Sequence, residues 1–561
     1  MRTLAATLLV LLAACGGQAP PRAEARPPNI VLIMTDDQGW AQLGVHGDDV
    51  LKTPNLDRLA SESVELTRFY VSPVCAPTRA SLMTGRYNYR TGVVDTWLGR
   101  AMMHPDEVTL AEMLSAAGYH TGIFGKWHLG DNYPMRPIDQ GFDEALVHRG
   151  GGIGQPSDPP GSSYFDPILQ HNGVQEQHEG YCTDVFFDAA LRFIEQTRDR
   201  PYFLYLATNA PHAPYQVPDE YRKRYAALGL DDKDARIYGM ITNIDDNVGR
   251  LVAALERLGD AEDTVLIFMT DNGPTTRRYA AGLRAQKSSV YEGGIRVPFF
   301  LRWPARLEPR KMDVMAAHID VTPTLLDAAG AAKPARVQLD GRSLMPLVDG
   351  RTNDWPERTL YIQSHRGDEP QRNRAFAAVS QRWKLTQPLS FSEPPPANAP
   401  LELYDLAADP AEEHNLASAH PELIQKMKQG YDEWFEDVSP SRGYAPPKIH
   451  IGTAHENPVW LTRQDWRVVG EDGWGDGSLG YWEVDVRTPG RYDIHFHFDA
   501  QETPGRAELA LGDAKRRIAF RQGDQEVVFE DVELAAGPGT LEARLRRGDK
   551  IEGVWFVEVQ K

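Results

Sequence analysis

Three cysteines in 561 residues are too few for a disulfide framework, and their number is odd, so each needs its own explanation. Positive charge is also in short supply. Lys and Arg number 60 against 79 Asp and Glu, a formal charge of −19 that repels phosphate backbones and argues against a nucleic-acid partner. Leu4 to Ala14, an apolar stretch near the start, is too short to span a bilayer as a helix. What the chain does have is 41% hydrophobic and 25% charged residues, enough to bury a sizeable core and to exclude global disorder. Its length implies two or three units at roughly 150 residues each, with one large α/β unit as an allowed exception.

Arg2 precedes the apolar stretch, and Leu12-Ala13-Ala14-Cys15 then meets Gly16, a pattern that resembles a bacterial lipobox. The resemblance implies that residues 1–14 are a lipoprotein signal peptide and that Cys15 is acylated. The mature protein is then tethered to a membrane by lipid in the cell envelope, on the periplasmic or outer-membrane and surface side. An ordinary secretory signal with a chance cysteine is the alternative. Residues 15–28, rich in Pro, Ala and Arg, read as a flexible tether.

From Asn29 onward, short unbroken apolar runs lead into polar turns. Asn29 to Met34 precedes Asp36-Asp37, and His120 to Gly125 precedes Lys126-Trp127-His128. Tyr202 to Leu206 leads to Pro211-His212, and Thr264 to Thr270 leads to Asp271-Asn272-Gly273. Continuous apolarity predicts strands covered on both faces, in a mostly parallel or mixed sheet between helices, and amphipathic stretches near residues 107–117, 184–197 and 237–258 supply the helices. Ligands in such α/β sheets sit beyond the carboxyl ends of the strands, so all four turns are expected to face one crevice.

Asp36, Asp37, Asp271 and Asn272 are hard oxygen donors, which favours Ca2+, with Mg2+ as the alternative, over zinc. A single Asp in such a turn is more often a helix cap or an Asx-turn; two acidic pairs after two buried strands point instead to a cation. Between these turns lies Cys75-Ala76-Pro77-Thr78-Arg79, where Pro77 suits a first helical turn and Gly85 a stop. Cys75 is thus expected at a helix N-terminus with Arg79 one turn along, although an isolated thiol is commonly a small buried hydrophobe.

Cys75-Ala76-Pro77-Thr78-Arg79 resembles the Cys-X-Pro-X-Arg signature of type I sulfatases, enzymes of the alkaline phosphatase superfamily. Gly125-Lys126-Trp127-His128-Leu129-Gly130, Asp36-Asp37, Pro211-His212, Asp271-Asn272-Gly273 and Lys287 ahead of Tyr291-Glu292-Gly293-Gly294 continue the likeness in order over about residues 28–440. The resemblance implies a catalytic domain over 29–357 and a small α+β subdomain over 358–440. It also implies that a formylglycine-generating enzyme oxidises Cys75 before folding is complete. The formylglycine hydrate, held on the metal with Asp36, Asp37, Asp271 and Asn272, attacks sulfur, forms a sulfo-enzyme and then eliminates sulfate. Lys126 and Lys287 bind sulfate oxygens, Arg79 and His128 hold the two hydroxyls, and His212, assisted or replaced by Lys287, protonates the leaving alcohol. Asp271 or His128 takes the second hydroxyl's proton.

The irregular stretch from His148 to Gly173 is a candidate specificity loop, with His148, Arg149, Gln155 and Tyr164 as candidates to meet a sugar or aryl group, and His365-Arg366-Gly367 is a second rim. Cys182 reads as a buried unpaired thiol. A helix is expected over Pro421 to Asp437, and Ser439 to Pro447 reads as a linker. Period-two runs after residue 448 then predict an all-β sandwich over 448–561, with Gly537-Pro538-Gly539 as one of its turns. Its Trp460, Trp466 and Trp474 either bind polysaccharide or pack in cores and interfaces. The expected function is hydrolysis of sulfate monoesters on carbohydrates or aryl compounds. A phosphonate or phosphate ester hydrolase using the same nucleophile, and an inactive glycan-binding lipoprotein, are the alternatives.

Overall fold

A computed structural model describes residues 26–351, 355–389, 399–470, 473–475 and 477–561. Residues 1–14, read as a signal peptide, Cys15 and most of the stretch read as a tether lie outside these. Among the described residues no helix is long and apolar enough to cross a membrane.

The core of the molecule is an eleven-stranded mixed sheet. In chain order its strands are β1 (Asn29–Thr35), β2 (Val64–Tyr70), β3 (His120–Lys126), β4 (Glu144–His148), β5 (Ile168–His171), β6 (Val174–Gln177), β7 (Tyr202–Ala207), β8 (Thr264–Thr270), β9 (Arg296–Val297), β10 (Phe299–Arg302) and β11 (Arg310–Ala317). They lie in the order β11-β2-β10-β8-β1-β7-β3-β4-β5-β6, with β9 beside β2. The run β8-β1-β7-β3-β4 is parallel throughout, while β10 and the β5–β6 hairpin run antiparallel. Every residue of β1, β7 and β8 is buried, as unbroken apolarity requires of strands sandwiched between helices. At about 1.5–3 kcal/mol for each large apolar side chain, these three strands anchor the fold.

Helices Leu110–Ala116, Cys182–Gln196 and Asp232–Leu258 cover the sheet. The first starts on a reciprocal cap, with Thr109 Oγ1 accepting from the Glu112 amide and the Glu112 carboxylate accepting from the Thr109 amide. The third starts at Asp231, which accepts from the Asp234 amide, and stops at Gly259 with φ 76°.

Strands Leu360–Gln363, Phe376–Val379, Trp383–Gln387 and Glu402–Asp405 form a small antiparallel sheet, against which helix Pro421–Val438 packs. The segment after it is not loose. Arg442 pairs with Asp106 and Glu107 and donates to the Arg90 carbonyl, so the stretch read as a linker is pinned to the catalytic domain.

Beyond it two sheets of seven and four strands form a sandwich. Alternation is direct in Leu479–Val486, where every second residue is buried. Gly537-Pro538-Gly539 departs from the expected turn: it opens strand Gly537–Arg547 and pairs with Val484–Val486. Trp466 and Trp482 lie in the sandwich core with ring centroids 5.7 Å apart. Trp474 packs edge-on to Trp97 of the catalytic domain, and Trp460 stacks on Phe556. Trp466 is therefore a core residue and has no exposed face to offer a glycan. Leu98, Met102 and Met135, from the segments around β3 of the large-sheet unit, join this same core, so the sandwich is built into that unit.

Candidate active site

Helix Cys75–Thr84 begins at Cys75, and all ten of its residues are buried, so it shows no solvent face at all. Gly85, with φ 67°, ends it and returns its amide to the Ser81 carbonyl. Cys75 thereby sits at the helix N-terminus, where free amides favour an anion. Its thiol meets the ends of β1 and β8: ligand atoms of Asp36, Cys75 and Asp271 lie within 4.8 Å of one another, as do those of Asp36, Asp37 and His212.

The surrounding cations are held by these acids. Lys126 Nζ lies 2.5 Å from Asp36 Oδ2, and Lys287 Nζ lies 2.5 Å from Asp37 Oδ1. Arg79 grips Asp271 Oδ2 through Nε at 3.0 Å and Nη2 at 2.7 Å, while its Nη1 donates to the Lys126 carbonyl at 2.9 Å. Asn272 Nδ2 donates to Asp37 Oδ1 at 2.8 Å. Burial alone would raise the Asp37 carboxyl, but Lys287 and His212 bring it below its usual range. Burial and the nearby Asp36 raise Asp271. Lys287 is held above its ordinary value by Asp37, Cys75 and Asp36 against the pull of burial. The Cys75 thiol is pushed up by burial, so an unmodified thiol here stays protonated and is a weak nucleophile.

Two glycines permit this closeness. A carbon built on Gly125, where φ is 119°, would lie 1.8 Å from the Ala207 carbonyl oxygen; one on Gly273 would lie 2.0 Å from that of Gly293. Only glycine lets β3 turn into Lys126 against β7, or the Asp271-Asn272 turn rest on the 293–294 backbone.

The two histidines have defined roles for their ring nitrogens. His128 Nε2 lies 2.7 Å from the Thr96 carbonyl, which can only accept, so Nε2 carries the hydrogen. Its Nδ1 is buried with no hydrogen-bond partner among the described residues and is left as an acceptor. Burial and Lys126 keep this imidazole neutral, well below its usual pKa. His212 Nδ1 donates to the Ala213 carbonyl at 2.6 Å, leaving Nε2 3.8 Å from Asp37 Oδ2.

The residues fit a divalent cation. Asp36 Oδ1 and Asn272 Oδ1 are buried oxygens without a hydrogen-bond partner among the described residues, beside Asp37 and Asp271. Buried oxygens left unpaired in a cluster of carboxylates are costly unless a cation meets them.

All ten residues expected at the site (Asp36, Asp37, Cys75, Arg79, Lys126, His128, His212, Asp271, Asn272 and Lys287) are brought into this cluster or its immediate contacts. The candidate specificity residues divide. Tyr164 is fully buried, and its hydroxyl donates to the His212 carbonyl at 2.6 Å. It props the His212 turn and cannot reach a substrate, because a tyrosine whose ring and hydroxyl are both spent on the interior has no surface left. His148 is buried with Nδ1 on the Arg149 carbonyl, and Arg149 is buried beside it. Gln155 is half-buried near the imidazoles of His128 and His212. His365 is buried, while Arg366 is half-buried, pairs with Asp95 and lies over Trp97. Cys182 is buried and meets Asn209 Oδ1. The stretch read as one irregular loop ends in the β5 strand.

Two contacts had no sequence signal. Thr96 holds His128 through a backbone carbonyl, which any residue offers. Gln464 of the sandwich donates to that same carbonyl at 3.0 Å from 368 residues away.

A buried thiol at a helix tip, ringed by lysines, an arginine and a cation-ready carboxylate cluster at the carboxyl ends of a mostly parallel sheet, defines a hydrolase of anionic tetrahedral esters. The chain belongs to the sulfatase family. Residues 28–331, more than half of the chain, match the sulfatase profile, and residues 285–436 match that of the N-sulphoglucosamine sulphohydrolase C-terminal region. It is 35% identical to human arylsulfatase A over 460 residues, 72% of this chain and 87% of that protein. It is 34% identical to dog N-acetylgalactosamine-6-sulfatase over 64% of this chain and 72% of that one. The structure of Ps i-CgsB, determined also in complex with k-i-k-neocarrahexaose, superposes with a TM-score of 0.67 at 29% identity, covering 75% of this chain and 95% of that one. The protein is a sulfuric ester hydrolase, in a family whose members use a metal ion and a formylglycine.

Proposed function

We propose that this chain is a formylglycine-dependent sulfatase that removes sulfate from glycans, anchored in the cell envelope by lipid on Cys15. The observation that carries the reading is the meeting of Cys75 with Asp36 and Asp271 inside a ring of cations. Glycans are favoured over simple aryl esters because one relative is named for a sugar sulfate, N-acetylgalactosamine-6-sulfatase, and the structure of another was determined in complex with k-i-k-neocarrahexaose.

A calcium ion held by Asp36, Asp37, Asp271 and Asn272 would supply charge stabilisation and raise the acidity of a bound oxygen. The hydrate of a formylglycine at position 75 would supply the nucleophilic oxygen and a second hydroxyl that allows sulfate to leave. The chain's own groups do the rest. Lys126 and Lys287, each on a carboxylate, bind sulfate oxygens and oppose the charge that builds on them. Arg79 locks Asp271 in one orientation through two hydrogen bonds. His128, with Nε2–H committed to Thr96, presents Nδ1 to take the proton of the second hydroxyl. The leaving alcohol takes its proton from the His212–Lys287 pair.

The test is a sulfate-release screen of the maturation-competent enzyme on an aryl sulfate, N-acetylgalactosamine 6-sulfate and a carrageenan hexasaccharide. Phosphate mono- and diesters are run in parallel, with and without chelator and with calcium or magnesium restored. Sulfate release that Cys75→Ala abolishes and calcium restores is expected. Activity retained by Cys75→Ala, or preference for a phosphate ester, overturns the reading. Cys15→Ser should move the protein out of the membrane fraction, and unchanged fractionation would refute the anchor.

A further inference from the structure

A cavity of about 520 Å3 lies between the Gly154–Ser162 loop of the catalytic domain and one end of the four-stranded sheet of the sandwich. Gln155 and Asp158 line one wall, and His497, Asp499, Gln525 and Trp555 the other. Neighbouring strands bring the second set together: His497 is in register with both Glu526 and Phe556, so Gln525 and Trp555 fall at the same sheet end.

This wall is pre-ordered. The Trp555 indole N–H donates to Asp499 Oδ2 at 2.7 Å, its amide donates to the His497 carbonyl at 2.8 Å, and the Arg463 guanidinium lies 5.4 Å from its ring centroid. His497 stacks on Phe556 at 4.2 Å. Across the cavity, Asp158 Oδ2 accepts from the Gly154 amide, while its Oδ1 is buried with no hydrogen-bond partner among the described residues. Gln155, part of the cavity wall, is also a neighbour of the Gly151-Gly152 backbone that passes His128 and His212. A carbon built on Gly152 would lie 3.2 Å from both Gln155 Nε2 and His212 Nδ1, and one on Gly151 would lie 2.9 Å from His128 Nε2 and 3.2 Å from Gln155 Oε1.

The chemistry of the lining selects its ligand. A fixed indole offers an apolar face for the C–H side of a sugar ring, and amide and carboxylate groups pair with hydroxyls. Among the described lining residues there is no Lys or Arg, so the lining offers no cation to pair with a second sulfate. We propose that this cavity is a saccharide subsite for the unsulfated sugar adjoining the sulfated one, which makes the appended sandwich part of the substrate site. The inference deepens the glycan-sulfatase reading and rests on it.

Two measurements test it separately from that reading. In the first, neutral hexasaccharides (desulfated carrageenan, agaro- and chitohexaose) are titrated calorimetrically into the full-length Cys75→Ala protein, which requires no turnover. Binding of at least one is expected, weakened about tenfold or more by Trp555→Ala and by Gln525→Ala, whose exposed side chain can be lost without harm to the fold. Binding of none, or binding that both substitutions leave unchanged, overturns the subsite. In the second, kcat/KM is measured for the carrageenan hexasaccharide and for an aryl sulfate. In each variant the ratio of the two should fall about tenfold; an unchanged ratio in both overturns the proposal. If the wild type cleaves the aryl sulfate and no glycan while the neutral hexasaccharide still binds at Trp555, the subsite stands and the glycan-hydrolysis reading is what fails.

Discussion

Lys384→Met should destabilise the protein strongly, and more so as pH rises. Lys384 is fully buried in the small C-terminal sheet, with Nζ 3.1 Å from Glu292 Oε1 and 2.8 Å from Glu412 Oε1. Both carboxylates are also buried, and Glu412 Oε2 accepts from the Glu292 amide. One ammonium thus bridges two acids at the start of the Glu292–Ile295 helix, with Arg296 a further 3.8 Å partner of Glu292, on the loop that carries Lys287. Removing one partner of a buried ion pair costs about 3–5 kcal/mol, against total stabilities of about 5–15 kcal/mol. Burial already lifts the Glu412 carboxyl above the usual glutamate range, opposed by Lys384 and reinforced by Glu292. Without the lysine, both upward influences remain and only the hydrogen bond from the Glu292 amide still opposes them. A group whose folded pKa is raised stabilises the fold below its unfolded pKa and loses that contribution as pH climbs through the folded value. The variant's deficit should therefore be larger at about pH 8 than at about pH 5. Urea unfolding of both proteins at each pH, with aryl-sulfate turnover after each urea step, measures it. A deficit below about 1 kcal/mol, or one that shrinks at the higher pH, would refute the claim that Lys384 opposes the upward pull of burial on Glu412.

Two further outcomes follow from particular contacts. Gln464→Ala removes one of the two donors on the Thr96 carbonyl that orients His128, at about 1 kcal/mol, so kcat should fall several-fold with KM nearly unchanged; a change confined to KM would show that Gln464 does not act through His128. Gly125→Ala should yield little folded protein, because the added carbon meets the Ala207 carbonyl oxygen at 1.8 Å; a soluble variant melting like the wild type would contradict the fit between β3 and β7.

The catalytic cluster was legible in the sequence because its parts are local. A buried strand of unbroken apolar residues followed by a reactive turn places that turn at the strand's carboxyl end whatever the rest of the chain does, so Asp36, Lys126, His212 and Asp271 could be put in one crevice in advance. The Cys75 helix likewise carries its own start and stop. The Gly537-Pro538-Gly539 strand was misread because its turn-like composition is overridden by pairing with Val484–Val486. Tyr164 was misread because loop residues face solvent by default, and only the packed His212 turn shows where its hydroxyl is spent.

What the sequence by itself determined is therefore the chemistry: which side chains bear the charge, which strands are buried, and which thiol stands at a helix tip. The tertiary structure alone decided which of those groups touch. It set Arg79 on Asp271, Lys287 on Asp37 and Gln464 on the carbonyl behind His128, and it set one end of the sandwich across a cavity from the Gly154–Ser162 loop. The physical reason is that strand periodicity and capping are encoded within a few residues. Contacts between segments hundreds of residues apart depend on the packing of surfaces that exist only once the chain has folded.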